Sequence, residues 1–340
     1  MIISASRRTD IPNYYSDWFF NRLKEGFLYV RNPMFIHQVS KINLDKELID
    51  CIVFWTKNPS NMIDRLDELD GYNYYFQFSV TGYGNKIEPG IPSKTEVIIP
   101  VFKRLSKLIG KNRVIWRYDP ILLNEQYPAE YHIRAFEKIA RELHGYTERV
   151  VISFVDLYKK TKSNTKNAGI DIWELTDDQM IRLAKSMAII AKKFDLEIES
   201  CAEKIDLESV GVRHGCCIDK SLIEQIIGYS LKGSKDKNQR AECGCFESIE
   251  IGSYDTCKNN CRYCYANLND NQVIRKAELY DPNSPLLCGE IGPDDRVTER
   301  KIKSLKADVS DSDGIQTDMF NMVQFRNVSR INSEDMNNEK

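Results

Sequence analysis

The sequence predicts an α/β protein, and specifically a TIM-like (βα) barrel. Short apolar or β-branched segments alternate with longer segments of helical periodicity, which is typical of repeated βα units. Polar or charged residues follow nearly every candidate strand, and the carboxyl ends of barrel strands meet at one mouth. The candidate strands cover residues 2–5, 51–55, 74–80, 113–118, 150–155, 196–201 and 249–254.

Composition and charge restrict the class of protein. The chain has 340 residues, of which 42% are hydrophobic and 29% charged, as in a folded globular protein. Its net charge is -2, which counts against a large nucleic-acid footprint. The first residues lack the apolar core of a signal peptide, and no apolar run reaches the length of a membrane span. We therefore expect a cytoplasmic protein that does not contact a membrane.

The organisation along the chain predicts three regions. Residues 1–200 contain the βα units, 201–305 form a cysteine-rich region that completes the barrel, and 306–340 form a polar, poorly ordered tail. Thr176 and Gln179 have the spacing of a capping box at the start of a helix. The segment 159–169, KKTKSNTKNAG, reads as an exposed loop.

A CxxxCxxC motif directly after the seventh candidate strand is the sharpest chemical feature. Its cysteines are Cys257, Cys261 and Cys264, and Tyr263 precedes the last of them. Three thiolates at this spacing can ligate three irons of a cubane cluster and leave the fourth iron without a protein ligand. Zinc sites more often pair two CxxC knuckles, so the spacing favours a four-iron four-sulfur cluster over zinc.

This motif resembles that of the radical S-adenosylmethionine superfamily, which has the same spacing and an aromatic residue before the last cysteine. The resemblance implies that Cys257, Cys261 and Cys264 ligate the cluster and that Tyr263 packs near the adenine of S-adenosylmethionine. It further implies that an electron from the cluster cleaves S-adenosylmethionine to methionine and a 5'-deoxyadenosyl radical. An electron donor such as flavodoxin or ferredoxin would supply that electron.

The position of the motif differs from the usual one, which follows the first barrel strand. A circular permutation would reconcile the two, because the strand at 249–254 can lie beside the strand at 2–5. The layout then resembles a bacterial branch of the superfamily, a domain of unknown function with its cluster motif near the C-terminus. The segment around Arg117 and Asp119 also bears a distant similarity to relatives of spore photoproduct lyase.

Five more cysteines lie within the 56 residues that precede Cys257. Of these, Cys201, Cys217, Cys243 and Cys245 are the candidates for an auxiliary cluster or a zinc ion. The adjacent Cys216 and Cys217 are not expected to face inward together. The alternative is that several of these cysteines are buried free thiols.

Two basic residues at strand ends are candidates for binding the cofactor. Arg8 follows the first strand and could bind a carboxylate or phosphate, although ion pairing with Asp10 or Asp17 is the competing interpretation. Lys57 follows the second strand and could contact the carboxylate of S-adenosylmethionine or lie exposed at the surface.

The leading functional hypothesis is a radical S-adenosylmethionine enzyme acting on a substrate that the sequence does not identify. A structural or redox-sensing iron-sulfur or zinc protein without this chemistry is the alternative. Processing of a nucleic acid, by similarity to the lyase relatives, is a third reading that the near-neutral charge disfavours.

Overall fold

The computed structural model describes residues 1–307, and Met1–Lys306 form one compact unit. Within this part of the chain the strands are β1 (Ile2–Ala5), β2 (Phe27–Arg31), β3 (Gln38–Asn43), β4 (Cys51–Thr56), β5 (Tyr74–Ser79), β6 (Val114–Ile121), β7 (Arg149–Phe154), β8 (Glu197–Cys201), β9 (Arg213–Gly215), β10 (Ile249–Glu250) and β11 (Arg296–Glu299). The α-helices are α1 (Ile11–Tyr14), α2 (Ser16–Glu25), α3 (Ser60–Ile63), α4 (Ile99–Ile109), α5 (Ala129–Leu143), α6 (Lys159–Asn167), α7 (Asp177–Lys193), α8 (Lys220–Ile227) and α9 (Asp270–Ala277). Apart from its first two residues, the predicted polar tail lies outside the described residues.

Eight parallel strands form the main sheet, in the order β10-β1-β4-β5-β6-β7-β8-β9. Each of the seven predicted strands is present, although β10 is only two residues long. Ile3 of β1 is in register with Ile249 of β10, so the strand before the cysteine motif does lie beside the first strand. A smaller sheet, in the order β11-β3-β2, was not predicted.

The predicted barrel is wrong, because the sheet is open. Strands β10 and β9 stand at its two ends, and in residues 1–307 they do not pair with one another. Polar residues at the carboxyl ends of the strands cannot distinguish the two arrangements, since these ends share one edge in any parallel sheet. The permuted barrel inferred from the position of the motif is therefore replaced by an open parallel α/β sheet.

Alternate residues of each strand build the core on one face of the sheet. Phe54, Phe76 and Trp116 are fully buried in the cluster that also holds the apolar residues of α2, α4, α5 and α7. Phe54 stacks on Phe76 with 4.8 Å between ring centroids, and Trp116 stacks on Phe136 at the same distance. This face is covered by helices, as in other parallel sheets.

The opposite face is covered by the segment that follows β8. Ile2, Val53 and Tyr75 project there and pack against residues of this later segment, including Ile218 and Phe246. The Tyr75 hydroxyl donates to the Cys217 carbonyl over 2.6 Å. Because residues 202–246 fill this face, both sides of the sheet are buried without the strands closing on each other.

Local sequence signals for helices gave mixed results. The capping box at α7 is confirmed, since the Thr176 hydroxyl accepts from the Gln179 amide and the Gln179 side chain accepts from the Thr176 amide. The loop predicted over 159–169 is wrong, because α6 occupies most of it. Buried Thr161 and Thr165 form the inner side of α6, and their spacing of four residues suits a helix although neither is strongly apolar.

None of the helices in residues 1–307 has the length and apolar character needed to cross a bilayer.

The capping box offers a test of local stability. We expect Thr176→Ala to lower the free energy of unfolding by about 1 kcal/mol, because the amide of Gln179 loses its acceptor. Ser186→Ala, in the middle of the same helix, is the matched control and should leave stability nearly unchanged. Urea titration of the three proteins measures the difference, and equal stability of all three would contradict this role for the cap.

Candidate metal and cofactor site

One cavity, of ≈ 430 Å³, lies at the carboxyl ends of the main strands. Residues that directly follow β1, β4, β7 and β8 line it, as do side chains from β6. Every cysteine predicted as a metal ligand lines this cavity: Cys201, Cys217, Cys243, Cys245, Cys257, Cys261 and Cys264. The predicted cofactor residues Arg8, Lys57 and Tyr263 line it too. The fold thus gathers residues that are up to 256 positions apart in the sequence into one site.

The loop that carries the CxxxCxxC motif is fastened to the start of the chain by Asn259. Its side-chain amide donates to Asp10 Oδ2 over 2.9 Å, and its oxygen accepts from the Tyr14 hydroxyl over 3.0 Å. Asp10 also accepts from the Asn13 amide and so caps α1. A buried side chain with this many partners fixes the loop beside β1 and α1.

The other side of the loop rests on the segment that follows β5. The Gly90 amide donates to the Asn259 carbonyl over 3.1 Å, and the Arg262 amide donates to the Ile87 carbonyl over 2.9 Å. A Cβ at Gly90 would lie only 2.7 Å from the Asn259 carbonyl oxygen and 2.8 Å from that of Lys258. This position therefore needs glycine for the close approach of the two backbones.

The three cysteines of the motif are half-buried, and this burial raises the pKa values of their thiols. The pKa of Cys261 rises to about 12, an effect of burial that nearby Lys57 only partly offsets. Burial likewise raises the pKa of Cys257 and of Cys264. Such groups are thiols at neutral pH unless a metal ion displaces their protons.

Within residues 1–307, no three His, Cys, Asp or Glu side chains are arranged to hold a metal ion as they stand. The thiols of the motif share the cavity without converging on a single point. Metal binding at this place would therefore require deprotonation and some rearrangement of the cysteine side chains.

Glu88 is a central residue of the site that the sequence did not reveal. Its carboxylate is fully buried, accepts from Lys57 Nζ over 2.9 Å and from Thr81 Oγ1 over 2.8 Å, and also contacts Lys94 and the Tyr263 hydroxyl. Burial alone would raise the pKa of Glu88, but Lys57 and Lys94 outweigh it and lower the pKa to about 2. Nothing in the local pattern TGYGNKIEPG indicates a buried carboxylate, because its partners come from other segments.

The predicted cofactor residues have different surroundings. Lys57 is bound to Glu88, so the alternative of an exposed surface lysine is wrong. The guanidinium of Arg8 lies 4.6 Å from the Tyr254 ring centroid, and its Nη1 is 3.4 Å from the Gly252 carbonyl oxygen. Within residues 1–307 Arg8 forms no ion pair with a carboxylate, which disfavours pairing with Asp10 or Asp17.

Arg7 and Arg117 also line the cavity, on the side of the earlier cysteines. Arg117 pairs with Asp119, with 3.0 Å between Nε and Oδ1, and its Nη1 lies 2.8 Å from Cys217 Sγ. Arg7 lies over the Trp55 ring at 5.1 Å. Cys216 does not line the cavity, and its sulfur faces Gly244 instead.

These observations define an α/β protein with a cysteine-rich cavity at the carboxyl ends of a parallel sheet. Residues 2–266, more than three quarters of the chain, match the model of a family described as a domain of unknown function, DUF1848. The chain belongs to this family. The matched region includes all seven cysteines of the cavity and ends two residues after Cys264. Searches of the curated proteins and of the solved structures found no match.

The contact at Gly90 can be tested by adding one methyl group. We expect Gly90→Ala to push the cysteine loop outward, because the new Cβ would overlap two carbonyl oxygens. Alkylation of Cys257, Cys261 and Cys264 by iodoacetamide, followed by mass spectrometry, should then be faster than in the wild type. Gly84→Ala is the matched control, since a Cβ there meets nothing within 4 Å. Equal alkylation rates for the two variants would contradict the proposed constraint.

The ion-pair network of Glu88 predicts a specific dependence on pH. Glu88→Gln should lower the free energy of unfolding by about 3 kcal/mol near pH 7, because two partly buried lysines lose their counter-charge. The folded-state pKa is below the ordinary value, so this stabilisation is complete above about pH 5 and is lost as the pH falls toward 2.

Stability curves of wild type and Glu88→Gln should therefore converge in acid. Glu96→Gln, an exposed residue eight positions later, is the control and should follow the wild type at every pH. A constant difference between wild type and Glu88→Gln from pH 7 to pH 2 would refute an ionised Glu88.

Proposed function

We propose that this protein is an iron-sulfur protein that binds a four-iron four-sulfur cluster at Cys257, Cys261 and Cys264, and that it is a radical S-adenosylmethionine enzyme. The observation that carries the proposal is that the three cysteines of the CxxxCxxC motif all line one cavity. Three ligands from one loop leave room for a fourth, non-protein ligand on the cluster. Such a cluster would supply the electron that cleaves S-adenosylmethionine to methionine and a 5'-deoxyadenosyl radical.

The side chains of the loop fit a four-iron four-sulfur cluster. Its ligands are thiols alone, the soft donors that iron-sulfur clusters take. The Ala266 amide donates to Cys264 Sγ over 3.3 Å, and the Asn267 side chain fixes the Cys257 carbonyl over 2.7 Å. Donors of this kind stabilise a thiolate and hold the loop in one conformation.

Arg8, Lys57 and Tyr263 supply groups that suit S-adenosylmethionine. Arg8 has no carboxylate partner in the described part of the chain and could bind the carboxylate of the cofactor. Lys57, whose Nζ is 5.7 Å from the Tyr263 ring centroid, contributes a second positive charge close to Cys261. The hydroxyl of Tyr263 is fixed by Glu88, so its ring has a defined orientation beside the cavity.

An electron donor such as flavodoxin or ferredoxin is part of this proposal. Cys261 lines a second cavity as well, together with Lys86, Arg262 and several asparagines. Because Cys261 lines both this polar cavity and the cavity that contains the other cysteines, it offers a short path for an electron from a partner protein. A cytoplasmic location also belongs to the proposal, because all ten cysteines are free thiols, as a reducing compartment favours.

The test is electron paramagnetic resonance of the anaerobically reconstituted and reduced protein, with and without S-adenosylmethionine. We expect a cluster signal that shifts when S-adenosylmethionine is added and that is lost in Cys261→Ala. Cys51→Ala is the matched control, because Cys51 is buried in β4 and does not line the cavity.

Two outcomes would count against the proposal. Zinc bound at the loop in place of iron and sulfide would refute the cluster. An iron-sulfur signal that depends on Cys261 but does not respond to S-adenosylmethionine would instead favour a structural or redox-sensing protein.

A further inference from the structure

Four cysteines outside the CxxxCxxC loop come together from three separate segments. Cys201 ends β8, Cys217 follows β9, and Cys243 and Cys245 lie in the turn before β10. The sulfurs of Cys201 and Cys217 are 3.0 Å apart. Cys245 is close enough to Cys217 and Cys243 for their charges to interact, and all four cysteines line the same cavity.

The residues around these four cysteines supply hydrogen-bond donors to their sulfur atoms. Arg117 Nη1 lies 2.8 Å from Cys217 Sγ, and the Ile218 amide donates to Cys245 Sγ over 3.4 Å. Arg117 is only 5% exposed. Hydrogen bonds to sulfur and nearby positive charge are the means by which proteins tune thiolate-ligated clusters.

Arg7 provides a second, independent observation. Its Nη2 is buried and has no hydrogen-bond partner among the described residues. The nearest carboxylate, that of Asp236, is 3.9 Å from Nη1. Arg7 is close enough to Cys245 and Cys217 for their charges to interact. A buried guanidinium N–H without an acceptor is costly, and an anionic group beside these cysteines would satisfy it.

We propose that Cys201, Cys217, Cys243 and Cys245 bind a second iron-sulfur cluster, with Arg7 and Arg117 positioned to donate hydrogen bonds to its sulfur atoms. The four thiols release four protons on binding, and the resulting negative charge balances the buried guanidinium groups. The proposal goes beyond the cluster of the CxxxCxxC loop and does not depend on it.

Arg7 and Arg117 favour a cluster over a single zinc ion. A cluster adds inorganic sulfide atoms, which accept hydrogen bonds from such donors, whereas a four-coordinate zinc ion offers no acceptor beyond its thiolates. Cys201 Sγ and Cys217 Sγ are 3.0 Å apart, so these two side chains would have to separate in order to bind different irons.

The decisive experiment isolates this site from the loop. In a chain carrying Cys257→Ala, Cys261→Ala and Cys264→Ala, anaerobic reconstitution should still give about four iron and four sulfide per protein. Adding Cys217→Ser should remove most of this iron. Adding Cys216→Ser instead should leave it in place, because the Cys216 sulfur faces away from the cavity.

Further variants guard against misfolding and test the arginine. Cys243→Ser should repeat the loss of iron if Cys217→Ser does not fold, as judged by circular dichroism. Arg117→Leu should retain iron but shift the cluster potential to a more negative value, because a positive charge beside its ligand is lost. A purely structural arginine would leave the potential unchanged.

Each result for this site can be separated from a result for the loop. Cys217→Ser in an otherwise unaltered chain should keep the signal that shifts with S-adenosylmethionine. Stoichiometric zinc without sulfide, or iron that survives Cys217→Ser, would overturn the second cluster while leaving the loop cluster untouched.

Discussion

The parallel pairing of β10 with β1 is the constraint on which the site depends. It consists of two residue pairs, Ile3 with Ile249 and Ser4 with Glu250, yet it joins segments almost 250 positions apart. Glu250 strengthens it by accepting from the Ser4 hydroxyl over 2.7 Å and from the Arg7 amide over 3.1 Å. At Gly252 an added Cβ would collide with the Ser6 side chain. This close contact between β10 and β1 places the start of the CxxxCxxC loop against the end of β1.

Charge balance explains how so polar a cavity exists at the edge of an apolar core. Buried cationic side chains need partners, and the two sides of the cavity supply different ones. Near the loop, Glu88 joins two lysines to Tyr263, which ties β4, the segment after β5 and the loop together. On the other side of the cavity, Arg117 forms an ion pair with Asp119 and also contacts the sulfur of Cys217. Arg7, on this second side, has a buried Nη2 without a hydrogen-bond partner among the described residues, so an anionic group would add most there.

The sequence indicated the cysteines of the candidate site better than the charged residues that surround them. The spacing of Cys257, Cys261 and Cys264 is local, so one loop presents them together. Cys201, Cys217, Cys243 and Cys245, the candidate ligands from separate segments, line the same cavity as the loop. Glu88 was missed, because its importance comes from partners on other segments and a single chain position carries no record of those partners.

By itself, the sequence determined seven of the eight strands of the main sheet, the capping box at Thr176 and the common edge at which polar residues gather, since these follow from local pattern and from parallel strand direction. Tertiary structure decided whether the sheet closes. Residues 202–246 cover the face that a barrel would enclose, and two short end strands stay apart. Whether the sheet closes depends on which residues pack on that inner face. These residues come from distant parts of the chain, so the pattern of any one strand does not predict them.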